Sequence, residues 1–88
     1  MGGSAPVIEE VRAIVGEHGA LPVDISTVDD DADLFLAGLT SHATVSLMLA
    51  LESRFDLEFP DRLLRRKSFE SITAIAGVIG RLLEERES

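Results

Sequence analysis

The stretch that decides the fold is residues 38–55, which read GLTSHATVSLMLALESRF. Before its last four residues it contains no Asp, Glu, Lys or Arg. Its apolar residues recur at helical spacing from Ser41 to Phe55, which predicts one helix over that range. Because these residues cover most of the circumference, we expect this helix to be the central and most buried one. They are Val45, Leu47, Met48, Leu49, Leu51 and Phe55.

Two further helices are predicted, one on each side of this segment. Before it, apolar residues from Val7 to Val15 fall on one helical face, and Gly16 ends that helix. After it, a last helix begins near Ser68 or Ser71. Residues 20–40 are predicted to be a long ordered loop, and residues 61–66 one short turn. The sequence therefore predicts an all-α fold, a small bundle of three main helices plus one short helix.

Length and composition narrow the class of protein. The chain has 88 residues, no Cys, and 16 acidic against 8 basic residues, for a formal net charge of −8. We expect one monomeric domain at 5–83, a flexible N-terminus at 1–4 and a frayed C-terminus at 84–88. The lack of Cys excludes disulfides, thiolate zinc sites and cysteine nucleophiles. The acidic balance argues against nucleic-acid and membrane partners, and without a secretory signal we expect a cytoplasmic protein.

One pattern resembles a calcium-binding loop but lacks two of the residues that such a loop requires. Asp29, Asp31 and Asp33 match the first ligands of a calcium loop, but Leu34 and Thr40 stand where Gly and Glu are required. A solvated acidic loop is the better interpretation, and no metal site is predicted.

Ser41 and His42 are adjacent at the predicted start of a helix. Neighbouring side chains there rarely point at each other, and no Gly-x-Ser-x-Gly turn surrounds Ser41, which argues against a hydrolase. Judged by position alone, Ser41 is an N-cap and His42 a surface residue. No catalytic residue is therefore predicted.

The basic cluster consists of Arg62, Arg65, Arg66 and Lys67. In an acidic protein such a cluster is either a solvated face that pairs with nearby carboxylates or a docking patch for an acidic partner. Both interpretations stay open. Aromatic residues are not interleaved with it, which argues against nucleic acid.

Several segments, taken in order, resemble the acyl carrier protein family, whose usual core is Gly-x-Asp-Ser-Leu, an apolar helix, Leu-Glu, a Phe, and an Ile-Pro or Phe-Pro step. They are GLTSHATV at 38–45, LMLALE at 47–52, Phe55-Asp56 and Phe59-Pro60-Asp61. The resemblance covers nearly the whole chain. It implies a carrier without enzymatic activity, in which Ser41 holds 4′-phosphopantetheine through a phosphodiester and Thr40 and His42 flank the attachment point.

The same resemblance implies what such a carrier does and which proteins it meets. An acyl or aminoacyl group is held as a thioester on the arm and presented to partner enzymes. The implied partners are a phosphopantetheinyl transferase, an acyl- or aminoacyl-loading ligase and a downstream transferase. Val45 and Met48, together with the basic cluster, are the residues expected to contact partners.

The chain departs from the family pattern around Ser41. Thr40 replaces the usual Asp, His42 replaces an apolar residue, and Ala43 and Ser46 stand at acidic positions of the helix that partners recognise. Because the enzymes of fatty-acid synthesis dock through those acids, we expect a different synthase or ligase. The variant pattern is more similar to stand-alone bacterial carriers, some of them served by amino acid ligases, which implies a cargo such as glycine or alanine. The alternative, favoured by His42, is an unmodified helical adaptor that binds partners directly.

Overall fold

The computed structural model describes residues 4–87, with the side chains of residues 7–86. Four α-helices and three turns of 3₁₀-helix are formed in that range. The α-helices are α1, Ser4–His18; α2, Leu34–Ala37; α3, Ser41–Phe55; and α4, Ile72–Glu87. The 3₁₀ turns span Ile25–Thr27, Asp61–Leu63 and Arg66–Phe69. No strand occurs among residues 4–87, so the predicted all-α fold is confirmed.

The α1 helix packs against both α3 and α4, and the core lies between these three helices. Its fully buried side chains come from all of them and from Leu34 of α2. They are Val11, Val15, Leu34, Leu47, Leu51, Ile72, Ile75 and Ile79. Among the described residues, no helix is long and apolar enough to cross a membrane.

The prediction that α3 is the most buried helix is wrong. Its buried residues are Ala43, Leu47 and Leu51 on one side, whereas Val45 is 53% and Leu49 55% exposed. The core is lined more extensively by α4. The apolar residues on the outer side of α3 are therefore not core residues, although their spacing alone cannot distinguish them from core residues.

The connection between α1 and α3 is ordered by hydrogen bonds to other parts of the chain. The N–H of Leu34 donates to the carbonyl of Glu70 at 2.7 Å, and the N–H of Thr73 donates to the carbonyl of Asp30 at 3.0 Å. Within it, Asp33 caps α2 by accepting from two backbone N–H groups. This connection was predicted to be a loop because a four-residue helix is too short to show a period.

Gly38 joins α2 to α3 in a conformation that favours glycine. Its φ is 121°, and a Cβ atom built there would lie 2.5 Å from Cδ of Pro22. A side chain at this position would therefore push the turn between α2 and α3 away from Pro22.

The segment between α3 and α4 contains two 3₁₀ turns where one short turn was predicted. The side chain of Glu52 accepts from the N–H of Phe59 at 2.9 Å, which holds the segment against the end of α3. The ring centroids of Phe59 and Phe69 lie 5.4 Å apart, so the 3₁₀ turn at Arg66–Phe69 packs against the first part of this segment.

Two expectations concerned the chain ends. The α4 helix continues to Glu87, past the predicted start of fraying at Glu84, and Arg62 pairs with Glu85 at 3.2 Å. Arg86 donates to the backbone carbonyls of Phe55 and Asp56, so the last turn of α4 is bonded to the end of α3. The expected flexible segment 1–4 lies outside the described residues, apart from Ser4, which belongs to α1.

Candidate functional site

Thr40, and not Ser41, caps the N-terminus of α3. Its Oγ1 accepts from the N–H of Ala43 at 3.0 Å, and its backbone is extended, with φ −98° and ψ 166°. Its carbonyl accepts from the side-chain hydroxyl of Thr44 at 2.7 Å. The prediction that Ser41 is the N-cap is therefore wrong. Serine and threonine both cap helices well, and here Thr40 occupies the N-cap position.

This capping leaves the Ser41 hydroxyl available. Ser41 is the first residue of α3 and is exposed, and within residues 4–87 its hydroxyl has no hydrogen-bond partner. The backbone N–H groups of Ser41 and His42 have no acceptor within the helix, because they belong to its first turn. A negatively charged group on the Ser41 oxygen would therefore lie at the positive end of the helix dipole.

Ser41 lies at the edge of an open groove of about 390 Å³. The groove is formed by α2, by the outer side of α3 and by the 3₁₀ turn at Arg66–Phe69 with the two residues before it. Its lining residues are Phe35, Ser41, Thr44, Val45, Met48, Leu64, Arg65, Arg66 and Phe69. Of the predicted site residues, the structure thus brings Ser41 together with Val45, Met48, Arg65 and Arg66.

The groove is apolar with a basic rim. Arg66 stacks on the ring of Phe35, with its guanidinium carbon 4.0 Å from the ring centroid. None of the described residues that line the groove is acidic. For a chain with a net charge of −8, this local absence of carboxylates sets the groove apart from the rest of the surface.

The structure divides the basic cluster into two parts. Arg65 and Arg66 line the groove, whereas Arg62 pairs with Glu85 on the exposed surface. Lys67 is exposed and lies outside the groove lining. His42 is likewise exposed and does not line the groove.

Sequence reasoning missed four groove residues: Thr44 on α3 and, outside α3, Phe35, Leu64 and Phe69. Leu64 is 45% exposed, and Phe35 is half-buried beneath Arg66. Apolar residues in a predicted loop indicate packing, but they do not indicate which surface they pack on. Only the packing of α2 beside the 3₁₀ turn at Arg66–Phe69 brings Phe35, Leu64 and Phe69 together.

The acidic residues of the connection have structural roles. Asp30 pairs with Arg12 at 2.5 Å, and Asp33 caps α2. Hydrogen bonds from the backbone N–H and hydroxyl of Ser26 lower the pKa of Asp24 below its ordinary value of 3.8. Within the described chain, no group of three or more His, Asp or Glu side chains could hold a metal ion.

A family model described as the phosphopantetheine attachment site matches residues 9–80. The chain belongs to this family of carrier proteins. It is accordingly a carrier and not an enzyme, and its prosthetic group is 4′-phosphopantetheine. The residues at the start of α3 fit that group, since an exposed serine without a competing hydrogen bond faces a groove that has no carboxylate.

This carrier is similar to proteins that hold amino acids. It is 49% identical over 78 residues to a curated aminoacyl carrier protein from Agrobacterium fabrum (strain C58), covering 89% of this chain and 94% of that protein. It is also 49% identical to the carrier protein from Agrobacterium tumefaciens. That protein was solved in a crystal structure with AMP and an engineered Bradyrhizobium japonicum glycine:[carrier protein] ligase. The TM-score is 0.80, with 83% of this chain and 97% of that one covered.

A second solved complex contains a carrier with its cargo attached. It is a crystal structure of the Bradyrhizobium japonicum ligase with glycylated carrier protein, matched at 32% identity and a TM-score of 0.63. The match covers 85% of this chain and 96% of that chain. The acyl-carrier-like bundle expected from the sequence is confirmed by both structures.

Proposed function

We propose that Ser41 is the residue to which 4′-phosphopantetheine is attached, and that the loaded carrier presents an aminoacyl thioester to partner enzymes. The observation that carries the proposal is the exposed, unbonded hydroxyl at the first position of α3, beside a groove free of carboxylates. When bound, the arm supplies the thiol that forms the thioester.

The residues around Ser41 have distinct roles in this proposal. Thr40 fixes the start of α3 through its bond to Ala43, so the backbone of Ser41 has a defined position. The unbonded N–H groups of the first turn favour the negative charge of a phosphodiester on that oxygen. His42 is exposed beside the attachment point, where a transferase can reach it.

We propose that the cargo is a small amino acid, namely glycine. Support comes from the similarity to an aminoacyl carrier protein and to a carrier that was solved in its glycylated form. Partners in this proposal are a phosphopantetheinyl transferase, a glycine:carrier ligase and a downstream transferase. Val45 and Met48 supply apolar contact area for them, and the cationic rim of Arg65 and Arg66 suits an acidic docking surface.

The test is intact-mass spectrometry after incubation with coenzyme A and a broad-specificity transferase. The native chain is expected to gain one phosphopantetheine, and Ser41→Ala to gain none. Ser46→Ala is the matched control, because Ser46 is exposed on the same helix, and it should be modified like the native chain. An adduct that persists in Ser41→Ala would disprove the attachment site.

Loading is tested in a second step. The modified chain is incubated with ATP, the Bradyrhizobium japonicum ligase and either glycine or leucine. A mass gain of one glycyl group, labile to hydroxylamine, is expected with glycine alone. Loading with leucine and not with glycine would contradict the proposed cargo. Partner binding by an unmodified chain that is unaffected by Ser41→Ala would instead favour the adaptor alternative.

A further inference from the structure

The groove brings two cations to the same place as Ser41, although 24 residues of sequence separate Ser41 from Arg65. This juxtaposition depends on the tertiary fold: Ser41 begins α3, whereas Arg66 begins the 3₁₀ turn Arg66–Phe69 and Arg65 directly precedes it. The charged residues that line the groove are two arginines, with no carboxylate beside them, so the formal charge of its lining is positive. The open end of the groove at Ser41 therefore suits an anion.

These two arginines differ from four others in their bonding. Arg12 pairs with Asp30 at 2.5 Å, Arg54 with Glu10 at 2.6 Å, and Arg62 with Glu85 at 3.2 Å, while Arg86 donates to backbone carbonyls. Among the side chains described, those of residues 7–86, neither arginine of the groove forms an ion pair or a side-chain hydrogen bond. Their guanidinium donors are therefore available to a group outside the polypeptide.

The stacking of Arg66 also favours anion binding. Its guanidinium lies on the face of Phe35, 4.0 Å from the ring centroid. This contact uses no hydrogen bond of the guanidinium, and guanidinium N–H donors match the geometry of phosphate oxygens. Phe35 thus restricts the rotamers of Arg66 without using its hydrogen-bonding capacity.

We propose that Arg65 and Arg66 bind the phosphodiester of the arm on Ser41 and are positioning residues for it. The first part of the arm then lies in the groove, next to Val45 and Met48, and does not extend away from the domain into solvent. This inference rests on the proposed attachment at Ser41. In this proposal the two arginines bind the carrier's own phosphodiester and not the acidic surface of a partner protein.

The first test compares the unmodified and modified native chain by NMR of the arginine Nε–Hε groups. Modification is expected to shift the signals of Arg65 and Arg66 and to leave that of Arg62 unchanged. The ³¹P signal of the phosphodiester should move in the double variant Arg65→Gln/Arg66→Gln. Unchanged Arg65 and Arg66 signals on modification would overturn the proposal, and this measurement needs no variant.

The second test is the change in melting temperature on modification. The native chain is expected to gain about 3 °C, a shift typical of one partly exposed charged contact in a domain of this size. This gain should disappear in Arg65→Gln/Arg66→Gln and persist in Arg62→Gln/Lys67→Gln, which removes the same charge outside the groove. An equal gain in both double variants would contradict the proposal.

The outcomes separate this inference from the proposed function. Absence of any adduct on Ser41 by mass spectrometry would refute the attachment site itself. An adduct with unshifted arginines, combined with weaker binding of the ligase to Arg65→Gln/Arg66→Gln, would assign the two cations to an acidic partner surface instead.

Discussion

The two sides of α3 are made of similar residues and have different roles. On the inner side, Leu47 and Leu51 are fully buried in the core. On the outer side, Val45 and Leu49 are more than half exposed, and the groove with Ser41 begins there. Apolar composition alone therefore does not show which side stabilises the fold. The difference lies in what covers each side, and only the inner side is covered by other helices.

The largest expected difference between the two sides is in the free energy of unfolding. Leu47→Ala leaves a cavity in the core and should cost about 2–5 kcal/mol. Leu49→Ala removes the same atoms from a side chain that is 55% exposed and should cost less than about 0.5 kcal/mol. Chemical denaturation of both variants measures this. Equal losses would show that the outer side also belongs to the core.

The next effect concerns the turn that sets the position of α2 over the groove. Gly38→Ala must hold a Cβ atom at φ 121° and 2.5 Å from Cδ of Pro22, which should cost about 1–3 kcal/mol. Gly77→Ala is the control, since no atom lies within 4 Å of a Cβ there and alanine is the better helix former. Thermal melting should show a loss for Gly38→Ala and none for Gly77→Ala.

A smaller effect separates the cap, Thr40, from the proposed attachment residue, Ser41. Thr40→Ala removes the bond to the N–H of Ala43 and should cost about 1 kcal/mol. Ser41→Ala breaks no hydrogen bond in the described chain and should change the unfolding free energy by less than about 0.5 kcal/mol. Denaturation of the two variants compares them directly. A larger loss for Ser41→Ala would mean that Ser41 is the cap.

The smallest effect is the pH dependence of Asp24, which lies in the acidic connection. Because its pKa is lowered in the folded chain, its contribution is fully present above the ordinary value of 3.8 and is lost as the pH falls through the folded pKa. Asp24→Ala should melt below the native chain at pH 7, and the gap should close on acidification below about pH 4. Asp31→Ala, which makes the same change in charge, is the control.

The sequence predicted the bounds of α3, which the structure confirms, because the helical pattern falls on residues 41–55. The resemblance to the family predicts Ser41 as the attachment serine. It did not predict the exposed side of α3, since apolar residues around the whole helix give no direction. Thr40 and Ser41 are both good caps, so only the backbone geometry shows which one bonds to Ala43. The division of the basic cluster between the groove and Glu85 depends on how the 3₁₀ turns orient successive side chains.

The central claim is that Ser41 carries the arm. The most direct measurement is tandem mass spectrometry of the protein recovered from the cells that naturally make it, with fragmentation of the peptide that contains Ser41. The account predicts phosphopantetheine on Ser41, with a small aminoacyl group on part of the molecules. Recovery of that peptide with Ser41 unmodified in every molecule, or with the arm on another residue, would contradict it.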